Sequence, residues 1–488
     1  MRRLSYIIVS LIMILTVSSI TAFARPDWPT DTGVQSEAGI VMDMDSGAVL
    51  FAQNIHEQKI PASITKLLTA LVVIENCDNL DAKITFSHDA VYNVESGSGN
   101  KLALEEGDVL SVRECLYVML LQSSNQAANA LAEYIGGSRS GFVDMMNQKV
   151  ADLGCQESHF ANPSGLNDDT QRTSAYDMAL IARTAFQDQQ LLEISSTRKA
   201  SIPPTINNPD GRTFSMEHKL LITEDGSSEE YYPDAVAGKT GWTSQAGQTL
   251  VTYARRGDRG EIAVTLKSTQ KTHYSDTKTI LDFGFARFRN VNIADNETEY
   301  VTGNTPVTIG SETYQPSELY IDKAAVITIP NEAGFMDAEK ELVTELPKDH
   351  PEGAVAKLVY TYNERKIGEG WLFTTRAQSV DAVAPPSEGE VPAGTEPSGD
   401  GTGQDAPDSK LPASFKLPAP LLMAGIGVLC LAAAVAGACF WSFKRRKAEL
   451  ERQRQLREKR RQRLADIGFT EEDFERILEE RRQQRDMR

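Results

Sequence analysis

Three short groups of residues carry side chains able to do acyl-transfer chemistry. The first is Ser63 and Lys66 in PASITKLLTALVVIE, residues 61–75. Residues three apart share a helix face, so a hydroxyl and an amine would stand side by side. After Lys66 the stretch is apolar almost all round, as in a buried helix, and Pro61 suits its start. A serine hydroxyl is a weak nucleophile until a base takes its proton. A lysine becomes that base when burial or nearby cations lower its pKa; a helix N-terminus adds a positive dipole. Backbone N–H groups of the same turn would face a developing oxyanion. The second group is Ser123-Ser124-Asn125, polar residues between two apolar segments, where polar side chains need partners. The third is Lys239-Thr240-Gly241, just ahead of a hairpin pattern, with Gly241 letting a peptide lie close along its strand.

None of these is specific alone. A chain of this length holds roughly two Ser-x-x-Lys by composition, and this one has five: Ser63/Lys66, Ser98/Lys101, Ser196/Lys199, Ser268/Lys271 and Ser275/Lys278. Only the first opens a strongly apolar helix; the others read as solvated surface. Ser98-Gly99-Asn100 repeats the Ser-x-Asn pattern inside a small polar stretch that reads as a turn. His159 has no carboxylate or cysteine partner at a telling spacing and reads as structural. The six histidines form no ligand pattern, so neither a metal nor another cofactor is expected.

The rest of the chain must position these groups. At 488 residues it is too long for one ordinary domain. Its net charge of −18 argues against a nucleic-acid partner. Residues 1–24 have a basic start, an apolar run and Ala22-Phe23-Ala24 as a cleavage site, which predicts a secretory signal peptide. Residues 37–289 mix strand and helix patterns: a hairpin over 38–54 turning at Asp45-Ser46-Gly47, a capping box at Ser111/Glu114, a helix closed by Gly136-Gly137, and a second hairpin over 249–268. Residues 290–376 alternate like short strands, predicting a small β domain. Residues 377–416 have the composition of a disordered linker. Residues 417–443 are apolar, uncharged and long enough to cross a bilayer, and Lys444-Arg445-Arg446-Lys447 places the following end in the cytoplasm. Residues 444–488 read as a charged cytoplasmic tail. Cys77, Cys115 and Cys155 are widely spaced and odd in number; they read as small core residues, with room for one disulfide.

Taken in order, Ser63/Lys66, Ser123/Asn125 and Lys239-Thr240-Gly241 form the trio S-x-x-K, S-x-N and K-T-G. The chain resembles the D-alanyl-D-alanine carboxypeptidases, the low-molecular-weight penicillin-binding proteins. GIVMDMDSGAVLFAQN, HFANPSGLNDDTQRTSAYDMALIA and AGKTGWTSQAGQTLV extend the resemblance across residues 37–289. The resemblance implies an α+β fold of the β-lactamase and penicillin-binding-protein type, an antiparallel sheet flanked by helices, followed by a small all-β domain. It implies that Ser63 attacks the substrate carbonyl, Lys66 takes its proton, and Ser123 relays a proton to the leaving amine. Asn125 would hold the substrate amide and orient Lys66. Lys239 and Thr240 would bind the terminal carboxylate, and the N–H of Trp242 would be the second oxyanion donor. The implied substrate is a peptidoglycan stem peptide losing its terminal D-alanine, with β-lactam antibiotics as covalent inhibitors.

The chain departs from the family in three places. Its C-terminal anchor reads as a full transmembrane span rather than a surface helix. STQKTHYSDTKTILDFGF lacks an arginine often seen there in relatives, and an indole follows Lys-Thr-Gly. Two other functions compete. A β-lactamase of class A would carry a glutamate in an E-x-x-L-N segment, and none is present. A catalytically idle wall-binding protein signalling through its tail would not need Ser63, Lys66 and Lys239 intact.

Overall fold

The computed structural model describes residues 25–94, 98–222, 228–347 and 350–376. The expected signal peptide, linker, transmembrane helix and tail lie outside the described residues. Among the described residues no helix is long and apolar enough to cross a membrane.

The first hairpin is β1 (Ala38–Asp43) and β2 (Val49–Gln53). Asp43 Oδ1 accepts from the amides of Asp45 and Ser46, and Gly47 takes a φ of +73°, so the turn forms where the sequence places it. Helix α1 (Thr65–Glu75) is buried from Thr65 to Val73, as its apolar surface requires. Pro61 does not open this helix. It precedes a single 3-10 turn, Ala62–Ile64, in which Ala62 has a φ of +52°, and α-helical bonding begins at Thr65. Helix α2 (Val112–Leu121) starts on the expected capping box: Ser111 Oγ accepts from the Glu114 amide at 3.1 Å, and the Glu114 carboxylate accepts from the Ser111 amide. Helix α3 (Asn125–Gly136) is capped by Ser124 and ended by Gly137 at a φ of +67°. Helices α4 (Arg139–Asp152) and α5 (Ala175–Gln187) follow.

Strands β3 (Ala235–Thr243), β4 (Gly247–Arg256) and β5 (Arg259–Ser268) join the hairpin in a five-stranded antiparallel sheet of order β2-β1-β5-β4-β3. β5 is central and buried nearly throughout, which demands a cover on each face. On one face Phe186 of α5 stacks on Tyr253 at 5.7 Å. On the other, Thr277 of helix α6 (His273–Arg287) meets Thr265 at 3.4 Å. β3 is the edge strand, so one row of its backbone groups faces away from the sheet.

A β-rich region continues directly from α6. Its six-stranded sheet uses Phe288–Asn292, Leu319–Ile321, Val326–Pro330, Glu339–Val343, Ala354–Tyr362 and Arg365–Thr374. Trp28 joins it to the first sheet: its ring lies 4.9 Å from Phe288 and 6.0 Å from Tyr362, and its Nε1 donates to Leu50 O. Ser46 and Thr328 hydroxyls meet at 2.6 Å in the same seam. Cys77, Cys115 and Cys155 are all free thiols, so the room left for a disulfide is not used. Burial pushes the Cys115 thiol well up, the behaviour of an inert core residue.

Candidate active site

The 3-10 turn that carries Ser63 and the first turn of α1, which carries Lys66, lie beneath a cleft of about 700 Å³ lined by Ser63, Ser123, Asn125, Thr240, Gly241 and Trp242, among others. Lys66 is 0% exposed. Its Nζ stands 3.1 Å from Ser63 Oγ and 2.7 Å from Asn125 Oδ1, and bonds the Ser164 carbonyl. Burial holds the Lys66 amine well below its ordinary pKa, and the Lys239 and Lys101 charges push the same way, with Glu217 opposing. A neutral amine has two protons and one lone pair. Asn125 Oδ1 and Ser164 O can only accept, so they take the two protons, and the lone pair is left for the Ser63 hydroxyl to donate to. After proton transfer the ammonium's third proton points back at Ser63 Oγ. The same three partners therefore satisfy both states, with no rearrangement between them.

The Ser164 carbonyl is fixed by its own loop. The loop is closed by the His159–Arg172 backbone pair, 2.9 Å in each direction. Asn162 Oδ1 accepts from the amides of Ser164 and Gly165, and Thr69 Oγ1 of α1 donates to Pro163 O at 2.7 Å.

Ser123, between α2 and α3, has a φ of +59°, a left-handed conformation that a serine adopts at a cost of about 1–2 kcal/mol. This aims its Oγ at Lys239 Nζ, which donates to it at 3.1 Å and to Thr240 O at 2.8 Å. Lys239 is 2% exposed, and burial lowers its pKa to about 8, opposed by Glu217 and reinforced by Lys101. Gly241 has a different reason from the one its sequence context suggests. A Cβ there would lie 2.9 Å from the Ser63 amide nitrogen and 2.4 Å from Thr249 Oγ1. The space belongs to the turn carrying the nucleophile, which β3 approaches backbone to backbone. Thr249 of β4 holds that turn from the same side, donating to Pro61 O at 2.8 Å. Trp242 is 62% exposed on the cleft wall and is not a packing residue.

All eight residues singled out in the sequence thus meet around one cleft. Ser98 and Gly99, read as part of a turn, also line it. Ser268, read as solvated surface, is instead buried, with its hydroxyl 3.1 Å from that of Thr272; tertiary packing at the end of β5 covers it. Glu217, Gln270, His273 and Tyr274 line the cleft unannounced by any motif, as does Lys101, the last residue of a Ser-x-x-Lys match in that polar turn. Asn162 to Gly165 lay inside a recognised segment, and their Asn-Pro-Ser-Gly turn chemistry was the signal available.

The sequence profile described as D-alanyl-D-alanine carboxypeptidase, Peptidase_S11, matches residues 25–270, half of the chain. The chain belongs to the D-alanyl-D-alanine carboxypeptidase family. It is a serine-type carboxypeptidase of cell-wall peptidoglycan metabolism, one of the penicillin-binding proteins. The carboxypeptidase is 31% identical over 291 residues to D-alanyl-D-alanine carboxypeptidase DacF of Bacillus subtilis, covering 59% of this chain and 72% of that protein. It is 30% identical over 300 residues to DacD of Escherichia coli, covering 60% and 74%. The crystal structure of penicillin binding protein 6B from Escherichia coli matches with a TM-score of 0.53 at 25% identity, over 72% of this chain and 98% of that one. That span exceeds the profile match and takes in the β-rich region.

Proposed function

We propose that the carboxypeptidase removes the terminal D-alanine of peptidoglycan stem peptides through an acyl-enzyme on Ser63. The single observation that carries this reading is the Ser63–Lys66 contact, with Lys66 fully buried and its amine pKa pushed down by that burial. Lys66 takes the hydroxyl proton as Ser63 Oγ attacks the penultimate carbonyl. The backbone N–H groups of Ser63 and Trp242 receive the oxyanion, which the closeness of β3 to the Ser63 amide supports. Asn125 Nδ2 is left to hold the substrate amide once its Oδ1 is committed to Lys66. Ser123 passes a proton to the departing amine, and Lys239 and Thr240 hold the terminal carboxylate. Water then cleaves the ester, with Lys66 again the base. The open edge of β3 accepts the peptide as an added strand. A β-lactam enters the same route and stays on Ser63. The predicted signal peptide, the uncharged run at 417–443 and the Lys/Arg cluster behind it support export of the catalytic region, with the protein held in the membrane by one C-terminal helix.

The test is intact mass after brief exposure to penicillin. A one-to-one adduct is expected for the wild type and none for Ser63→Ala. An adduct that survives in Ser63→Ala would sink the assignment.

The pH dependence follows from the two lysines. Lys66 must be neutral to act as base, so the rate falls as pH drops through its lowered pKa. Lys239 must be protonated to hold a carboxylate, and its pKa is about 8. Above pH 8, kcat/KM for an acyl-D-Ala-D-Ala peptide is expected to fall about tenfold per pH unit, mainly through KM. A profile flat from pH 8 to 10 would remove Lys239 from carboxylate binding.

A further inference from the structure

Lys101 and Glu217 line the cleft, and the mechanism above gives them no part. Lys101 precedes the strand Val109–Ser111, and Glu217 follows the strand Arg212–Ser215. Their side chains form an ion pair across the cleft, with 50% and 34% of each exposed. A pair so exposed contributes little to stability, so stability does not account for its position. That position is specific. Lys101 Nζ is also 3.5 Å from the carbonyl of Gln122, the neighbour of Ser123. The Gln122 side chain donates to Ser215 O. His218, next to Glu217, backs β3 at Gly238, where a Cβ would lie 2.7 Å from His218 Nε2. The pair therefore sits at the Ser123–Lys239 end of the cleft, where the leaving D-alanine and its carboxylate belong.

We propose that Lys101 is a specificity-determining residue that binds the substrate's terminal carboxylate beside Lys239, and that Glu217 is the counter-ion it releases to do so. This rests on the reading that Lys239 marks the leaving-group end. Lys239 Nζ already donates to Ser123 Oγ and Thr240 O, leaving one proton for a carboxylate with two oxygens. Lys101 supplies two more on a flexible stem once Glu217 leaves, its third proton staying on the Gln122 carbonyl. Exchanging one carboxylate for another keeps the charge balance of the cleft, so only a ligand ending in a carboxylate displaces Glu217; a C-terminal amide does not. The electrostatics agree: Lys101 lowers and Glu217 raises the pKa values of both Lys66 and Lys239. The other charged groups of the cleft are set apart from this exchange. Lys219 and Glu230 pair with each other at 3.1 Å, and His273 Nδ1 is turned to Thr269 O at 3.0 Å.

The two partners therefore predict opposite effects, which a simple clamp does not. Full-length protein is assayed with an acyl-D-Ala-D-Ala peptide and with the same peptide ending in a primary amide. Lys101→Met is expected to raise KM for the acid about tenfold with kcat within about threefold, and to move the acidic limb of kcat/KM upward. Glu217→Gln is expected to lower KM for the acid several-fold and move that limb downward. At a pH above that limb, neither change affects the amide peptide by more than about twofold. If both variants raise KM on both peptides, the pair is only a clamp and the proposal fails. An unchanged KM in Lys101→Met also overturns it. Penicillin labelling of Ser63 in each variant keeps this result separate from a failure of the acyl-enzyme reading.

Discussion

Lys66→Arg is expected to abolish acylation although it keeps a long, basic side chain in place. A guanidinium stays protonated in proteins, so it cannot take the Ser63 proton. The loss in the acylation rate is about 10⁴-fold, the upper range for removal of a general base. Stability separates this explanation from simple damage. Lys66 is fully buried and faces two oxygens that only accept, Asn125 Oδ1 and Ser164 O. A neutral amine suits that site, whereas a permanent charge without a carboxylate partner costs on the order of 3–5 kcal/mol. Lys66→Met loses the base equally and leaves two acceptors unpaired, at about 1–3 kcal/mol each, but it buries no charge and escapes the overpacking, about 1–3 kcal/mol, that the bulkier guanidinium adds in a fully buried site. Both variants should be dead towards penicillin, and Lys66→Met should melt above Lys66→Arg. Stopped-flow acylation with thermal unfolding of the three proteins measures this. A Met variant less stable than the Arg variant would mean that the resting lysine is an ammonium.

The sequence made this base legible because its signal lies in side chains. A serine and a lysine three apart at the head of an all-round apolar helix conflict with their surroundings, and such a conflict marks chemistry. Ser123–Asn125 was legible on the same grounds, and Lys239-Thr240-Gly241 through its place in the ordered trio. The Ser164 carbonyl was not, since a backbone oxygen carries no residue signature and its placement depends on a loop closed far along the chain by His159 and Arg172. Lys101 and Glu217 are 116 residues apart and ordinary among loop residues, so only folding makes them a pair. Element positions were read well where periodicity and caps agreed, as at Ser111/Glu114 and the two hairpins. The 3-10 turn at Ala62–Ile64 escaped because one turn of either helix type shows the same apolar pattern. Gly241 was identified as a close-approach residue, but whether a substrate or the chain's own turn approaches is decided by tertiary packing alone.

That packing makes the second large effect a glycine outside the three catalytic motifs. Gly165 has a φ of +81°, and a Cβ there would lie 1.9 Å from Ala62 O, 2.5 Å from Ala62 C and 2.9 Å from Thr65 Oγ1. Two of these are backbone atoms of the turn that holds Ser63, and they have nowhere to go. Gly241 and Thr249 grip the opposite side of the same turn, and Ala62 already sits at a φ of +52°. Gly165→Ala must therefore move either the nucleophile or the loop that presents Ser164 O to Lys66. A misplacement of about 1 Å in a reacting group costs on the order of 10²-fold, and the strain adds about 2–4 kcal/mol of destabilisation. Gly154→Ala is the matching control: its φ is +74°, yet a Cβ there meets nothing within 4 Å. It bears the left-handed cost alone, about 1–2 kcal/mol, and should acylate with penicillin at the wild-type rate. Equal acylation rates in the two variants would show that the Ser63 turn tolerates displacement. A loss confined to Gly165→Ala would show that backbone clearance, supplied by one glycine on each side, sets the 3.1 Å contact on which the Lys66 base depends.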